Sequence, residues 1–429
     1  MNMINTSKTK ALIMYLFFLL PLSAWGQELI RTVHLQKSEN SIIRDISEKE
    51  WLVYNVFLWS DSMEKAFVKV TETGVSAPIM FLPNMVKTVN DFEIYDGYVY
   101  FCGENNAGIG MMGRFKLSDF PTAQVCMWSV PALMKMNKLD VKEMNSTLHV
   151  VMTGETALNS QHLVDAWEPS ASSANWVFNV TEVDDDWLFD DVAITASWVV
   201  FSGRNVAGNT AGFIYYAAPP TSASVFTATT PYYQQAPNAN AISRVILIPS
   251  VANNFAFVTD NPNDLTLGEY DAASRTPVWQ KTIWQTSLSC VDLAFNTLSP
   301  HLDFVAKPSS ASVPTVVFHP SSTPYLPAPP LMYGRYYQYN AIQSLDAIDA
   351  LAGYFVAAGT ENNLNYLMVY KYKYNDWPGC FSQTEVPFDI LTKSKKDDKF
   401  ELNTRIFSFN PECMSGEPTE AVVATECIR

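Results

Sequence analysis

The residues of this chain best equipped for chemistry are oxygen donors, and they come in two arrangements. The denser one is VDDDWLFDD from Val183, where Asp184, Asp185 and Asp186 stand side by side. Hard carboxylate oxygens of this kind are the ligands calcium takes, and no other cofactor is expected. No glycine-centred loop of alternating ligands accompanies them, so the competing reading is a solvated acidic loop. The second arrangement is strung along the chain: Asp45, Asp91, Asp140, Asp191, Asp292 and Asp346, with Arg244 where another Asp would fall. Carboxylates gathered at one channel mouth repel unless they hold a cation or accept hydrogen bonds. Either they ring a metal or cationic ligand, with Arg244 as countercharge, or each accepts backbone N–H bonds where a loop becomes a strand.

Recognition is better represented than catalysis. His34, His149, His162, His301 and His319 are scattered, and no His-x-x-x-His, Cys-x-x-Cys or Gly-x-Ser-x-Gly spacing occurs. Carboxylate pairs for glycoside hydrolysis are uninformative among 43 acidic residues. Aromatic residues do recur in segments that read as loops: Trp187, Tyr232 and Tyr233, Trp284, and Tyr336, Tyr337 and Tyr339. A second set of loops carries amides, among them Asn105 and Asn106, Asn205 and Asn209, Asn261 and Asn263, and Asn362, Asn363 and Asn365. Aromatic platforms beside amide donors and acceptors suit a sugar or a peptide. Against this stands the use of aromatics as packing between sheets and of Asn as a turn former.

The spacing of the acidic anchors says which elements must position them. Successive anchors lie 46, 49, 51, 53, 48 and 54 residues apart. The surrounding motif is clearest in VNDFEIYDGYVYFCGENNAGIGMMGRF from Val89, DDVAITASWVVFSGRNVAGNTAGFIYYA from Asp190 and IQSLDAIDALAGYFVAAGTENNLNYLMVYKY from Ile342. That period suits a four-stranded blade, and seven copies predict an all-β, seven-bladed β-propeller with antiparallel blades. A pair of β-sandwiches is the alternative, but it does not require seven equivalent units. In the second copy the alternation predicts strands near Asp91 to Ile94, Val99 to Cys102, Met111 to Leu117 and Val125 to Val130. In the fourth it predicts Trp198 to Ser202, Phe213 to Ala217 and Ser224 to Thr227. In this geometry the aromatic and amide loops open on one face, where each first strand begins.

LIRTVHL from Leu29 alternates like an edge strand and is expected to complete the seventh blade. The propeller thus spans 27–375, and 376–429 forms a short appendage. Two strands are expected there, VPFDIL from Val386 and FELNTRIFSF from Phe400, joined by a charged hairpin loop in KSKKDDK. The proline-rich FHPSSTPYLPAPPLMYG from Phe318 reads as an irregular outer edge of the sixth blade.

Residues 1–26 read as a secretory signal, with Lys8 and Lys10 before an apolar run from Ala11 and small residues at Ala24 and Gly26. The run is shorter than the roughly 20 residues a spanning helix needs and is broken by Pro21. No later stretch reads as a membrane span. Cleavage moves the net charge from −15 to about −17, which repels nucleic acid and anionic lipid. Of six cysteines, Cys102, Cys126 and Cys290 sit in strand patterns and read as buried thiols, while one pair is expected among Cys380, Cys413 and Cys427. NST from Asn145 and NVT from Asn179 match the glycosylation pattern.

The anchor followed by VYFCG or VVFSG and a glycine-containing loop resembles the repeats of secreted bacterial β-propeller proteins without an assigned activity. The resemblance, over Ser41 to Tyr374, implies the architecture and an exported location and carries no functional residues. The expectation is therefore a binding or scaffolding module in the periplasm, at the cell surface or secreted, for a glycan, peptide or protein. The alternative is a hydrolase or lyase acting on extracellular polysaccharide.

Overall fold

The computed structural model describes residues 29–426 apart from residues 34, 159, 275, 416 and 422 and the segments 73–76, 169–175, 184–186, 206–209, 220–223, 229–231, 236–240, 249–251, 262–263, 285–287, 297–300, 309–315, 321–331, 339–341, 352–353, 362–365, 374–381, 391–396, 400–402 and 410–411. Asp184, Asp185, Asp186, Asn362, Cys380, Cys427 and the leader at 1–26 fall outside the described residues.

The chain is all-β. Residues 86–130 show how the sequence builds its unit. Val86–Tyr95, Tyr98–Asn105, Gly110–Lys116 and Gln124–Val130 pair antiparallel in order. The first two are joined through Asp96 and Gly97, both at positive φ (47° and 73°), which is what a two-residue turn matched to strand twist requires. Ser60–Asp61 and Asn145–Ser146 make the same kind of turn elsewhere. Four-strand runs of this kind recur at residues 36–81, 135–182, 187–235, 241–284 and 288–338. Residues 342–373 supply three strands, and Leu29–Val33 pairs with Tyr366–Lys373 to add a fourth.

The repeated glycine has a steric cause. In each unit with the clear motif, a bulge in the first strand pushes a carbonyl towards the second strand. A Cβ on Gly103 would lie 2.0 Å from the Thr88 carbonyl oxygen, and one on Gly359 2.0 Å from that of Ser344. No side chain fits there.

The first strands of successive runs touch one another. In chain order these are Gln36–Ser47, Val86–Tyr95, Lys135–Met144, Trp187–Ile194, Ala241–Leu247, Leu288–Asn296 and Ile342–Leu351, and the last also touches the first. The apolar core lies between neighbouring sheets. Leu52, Tyr54, Phe67 and Met80 of the first run pack on Phe92, Phe101, Met111 and Phe115 of the second. Trp128 and Tyr100 meet Trp176 and Phe178 across the next interface. Val53 and Val68 pack on Val356 and Val369 between the first and last runs.

Three expectations are corrected. The outer strand of the fourth run is Tyr232–Gln235, and residues 225–228 form a short helix instead, with Val225 and Phe226 packed inward. The C-terminal segment is not a hairpin. It runs along the outer edges of the sheets as six successive strands. Ser382–Ile390 bridges the fifth and sixth runs into a nine-stranded sheet. Asp397–Lys399, read as loop, pairs with Tyr232–Gln234. Asn403–Phe409, Glu412–Ser415, Glu417–Ala421 and Val423–Glu426 then add to the third, second, first and last sheets. An outer strand leaves a row of unpaired N–H and C=O groups, and this belt satisfies them. The third correction is Cys126, which is not a free thiol. It is bonded to Cys413, its register partner in the belt, across 287 residues of sequence. Cys102 and Cys290 are buried and not disulfide-bonded, as expected. Asn179 of the NVT motif is fully buried in the strand Trp176–Glu182, which closes it to glycosylation.

Candidate functional site

Three of the acidic anchors, Asp91, Asp140 and Asp191, spend both oxygens on backbone donors. Asp91 Oδ1 accepts the N–H of Phe92 (3.0 Å), and Oδ2 that of Leu139 in the next run (3.3 Å). Asp140 does the same with Val141 (2.7 Å) and Ile194 (2.6 Å), and Asp191 with Val192 (3.0 Å) and Val245 (3.1 Å). Asp292 accepts from Ile348 at 3.0 Å. Each carboxylate therefore pins its own first strand to the next. Among the described residues no group of three or more His, Cys, Asp or Glu could hold a metal ion.

In the last run the role belongs to Asp349, not to Asp346. Asp349 accepts from Ala350 (2.8 Å) and from the Asp45 N–H (2.8 Å), joining the last first strand to the first. Register explains the misassignment. Asp91, Asp191, Arg244 and Asp292 follow the bulge directly, whereas Lys138 and Ala347 hold that place in their runs and Asp140 and Asp349 stand two residues further on. Side chains two apart share a strand face, so the substitution preserves the direction but moves the carboxylate one step along the axis.

Two layers of charge result. Towards the strand starts lie Asp91, Lys138, Asp191, Arg244 and Asp292. Further along lie Glu93, Asp140 and Asp349. Arg44 links them, with Nε at 2.6 Å from Glu93 and an Nη at 3.1 Å from Asp91. Lys138 lies 3.7 Å from Asp91. Burial pushes Asp140 and Asp191 up to about 6, against the pull of their backbone donors and neighbouring cations. Asp45 is raised by burial and by the Asp349 charge, with the Tyr354 hydroxyl donating to it at 3.2 Å, and Asp349 is raised by burial and by Asp292 against the pull of Arg44 and two backbone donors.

A cavity of about 430 Å³ opens on the first layer, where the first strands begin. Asn40, Ser41, Thr88 and Asn90 line it with neutral polar groups, and Asp91, Lys138, Arg244, Asp292 and Asp346 with charge of both signs. Its one aromatic residue, Tyr54, is buried, and its oxygen accepts the Val89 N–H.

The aromatic candidates lie elsewhere. Trp187 opens a first strand and is 2 % exposed, its ring stacked on Phe189 at 5.9 Å. Tyr232 and Tyr233 are strand residues, paired with Tyr215 and Ile214 on one side and Lys399 and Asp398 on the other. Tyr336 and Tyr337 belong to Met332–Gln338, between Val316–Pro320 and the belt, and Trp284 ends Thr276–Trp284. Tyr232, Tyr233, Trp284, Tyr336 and Tyr337 read as loop residues because their strands are outer ones whose second pairing partner is the distant belt. Asn105 is a turn former: its Oδ1 accepts from Ala107 (2.9 Å) and Ile109 (3.0 Å), and its Nδ2 donates to Ser129 (3.0 Å). Asn205 ends the strand Trp198–Asn205, paired with Thr210.

The sequence reading missed Lys138, Asn90 and Ser41. A signal existed for two of them: Asn90 precedes the anchor Asp91 and Lys138 stands two residues before Asp140. Comparison with known proteins adds no name: no family model and no curated sequence matches the chain. No helix among the described residues is long and apolar enough to cross a membrane.

Proposed function

We propose that the chain is a seven-bladed β-propeller, exported after loss of its first 26 residues, that binds a peptide or protein ligand at the mouth of its central channel. Support for the architecture comes from first strands that touch in cyclic order and from carboxylates that tie each to the next. The reading of export rests on the leader pattern. The observation that carries the function is the channel-mouth cavity, within the size range of ligand sites and lined by amides, hydroxyls, three carboxylates and two cations. Charge of both signs fits the ionic and amide groups of a peptide. A sugar ring asks for an open aromatic face, and the only ring there, Tyr54, is buried.

The test is a combined peptide and glycan array probed with the chain from Gln27, with and without calcium. Peptides bearing charged side chains are the expected ligands, independent of calcium. Lys138→Gln with Asp346→Asn is expected to weaken the best of them about tenfold, the equivalent of ~1.4 kcal/mol, with the far-UV spectrum unchanged. Binding confined to glycans, or undiminished in the double variant, sinks the reading.

A further inference from the structure

A second cavity, of about 330 Å³, lies away from the channel, where the belt crosses from the second sheet to the first. Trp59 and Phe81 line it with ring centroids 5.8 Å apart and planes at 57°, so the two rings form a corner and not a stack. Glu64 and Asn84 supply its polar groups, Leu82 an apolar wall, and Met414 of the belt a further wall that is 42 % exposed. No Lys, Arg or His lines it. Met414 is fixed by its neighbour Cys413, bonded to Cys126.

We propose that this cavity binds an alkylated ammonium group, of the kind carried by choline. The ring faces of Trp and Phe carry negative potential that attracts a cation, Trp the most strongly. An ammonium dressed in methyl groups also offers apolar surface to Leu82 and Met414, and sulfur is polarizable enough to adapt to it. Glu64, whose Oε1 accepts the Ser62 hydroxyl, supplies the countercharge, and no cationic side chain of the lining meets it. A sugar would need several directed donors, and Asn84 is the only side-chain amide in the lining. The chain's net charge of −15 draws cations towards it. None of this depends on the channel-mouth reading.

Calorimetric titration of the chain from Gln27 with choline, with 3,3-dimethylbutan-1-ol and with glucose tests the proposal. The alcohol has choline's shape without its charge. Choline is expected to bind, and the alcohol about tenfold or more weaker. Trp59→Ala should abolish choline binding, Trp59→Phe should keep a weakened site, and Glu64→Gln should weaken it several-fold. Cosedimentation with phosphatidylcholine vesicles separates a membrane headgroup from a free solute as the source. Equal binding of the neutral alcohol, preference for glucose, no binding of millimolar choline, or undiminished binding by a folded Trp59→Ala chain would each overturn it.

Discussion

The inner and outer edges of the sheets are held by different means. At the inner edge, carboxylates repeat with the chain, and Asp91, Asp140, Asp191 and Asp349 each satisfy backbone donors on two first strands. At the outer edge nothing repeats. One segment, residues 382–426, supplies a strand to every sheet in turn, and one disulfide ties it down. Inner-edge contacts are made between residues about 50 apart, apart from the closing bond between Asp349 and Asp45, whereas belt contacts span up to most of the chain. The interior can therefore form unit by unit, and the belt can pair only once all the edges exist.

Removing the belt should have the largest effect. A chain ending at Asn375 exposes every outer edge, and is expected to lose about 10 °C or more in Tm and to aggregate in sedimentation at concentrations where the full chain does not. If it stays monomeric with an unchanged Tm, the outer edge contributes nothing and the contrast fails. Cys413→Ser is a gentler probe of the same edge. It should cost about 2–4 kcal/mol in denaturant unfolding, with amide exchange accelerated first in Gln124–Val130 and Glu412–Ser415. Exchange that rises equally in Trp187–Ile194 would mean the belt and the interior open together.

At the inner edge Asp191→Ala strands the N–H groups of Val192 and Val245, a cost of about 1–3 kcal/mol. Its exchange signature should fall on the fourth and fifth first strands and spare the belt.

The smallest effect is on pH. Burial raises the folded Asp140 and Asp191 to about 6 from an ordinary carboxylate value, so the folded chain holds their protons more tightly than the unfolded chain does. Their contribution favours folding at about pH 4 and is lost as pH rises through 6. Tm should therefore fall by a few degrees between pH 4.5 and 7.5, and Asp140→Asn should flatten that slope. A slope of opposite sign, or one unchanged in the variant, would show that these carboxylates are ionised throughout.

Much of the inner edge was legible. Strands in the second unit fall within a few residues of those predicted, because turns bound them and alternate side chains, Val99 and Phe101 against Tyr100 and Cys102, enter the cores on opposite faces of the sheet. The glycines at Gly103 and Gly359 were visible as letters, and the bulge that demands them was not. Asp346 was taken for Asp349 because spacing alone cannot tell which of two acids three residues apart lies on the strand face that meets the next strand.

The sequence by itself determined that the chain is all-β, that its strands come in repeated antiparallel groups, and that an acid recurs at the first strand of most of them. Those properties are written in local patterns, since strand alternation and tight turns depend on neighbouring residues. Only the tertiary structure decided where residues 382–426 go, that Cys126 pairs with Cys413, and that Lys138, Arg244 and Asn90 share one cavity with Asp346. The belt strands do not repeat the motif of the units. Their position is set by the unpaired backbone edges of sheets hundreds of residues away, and an edge exists only after the strands before it have paired.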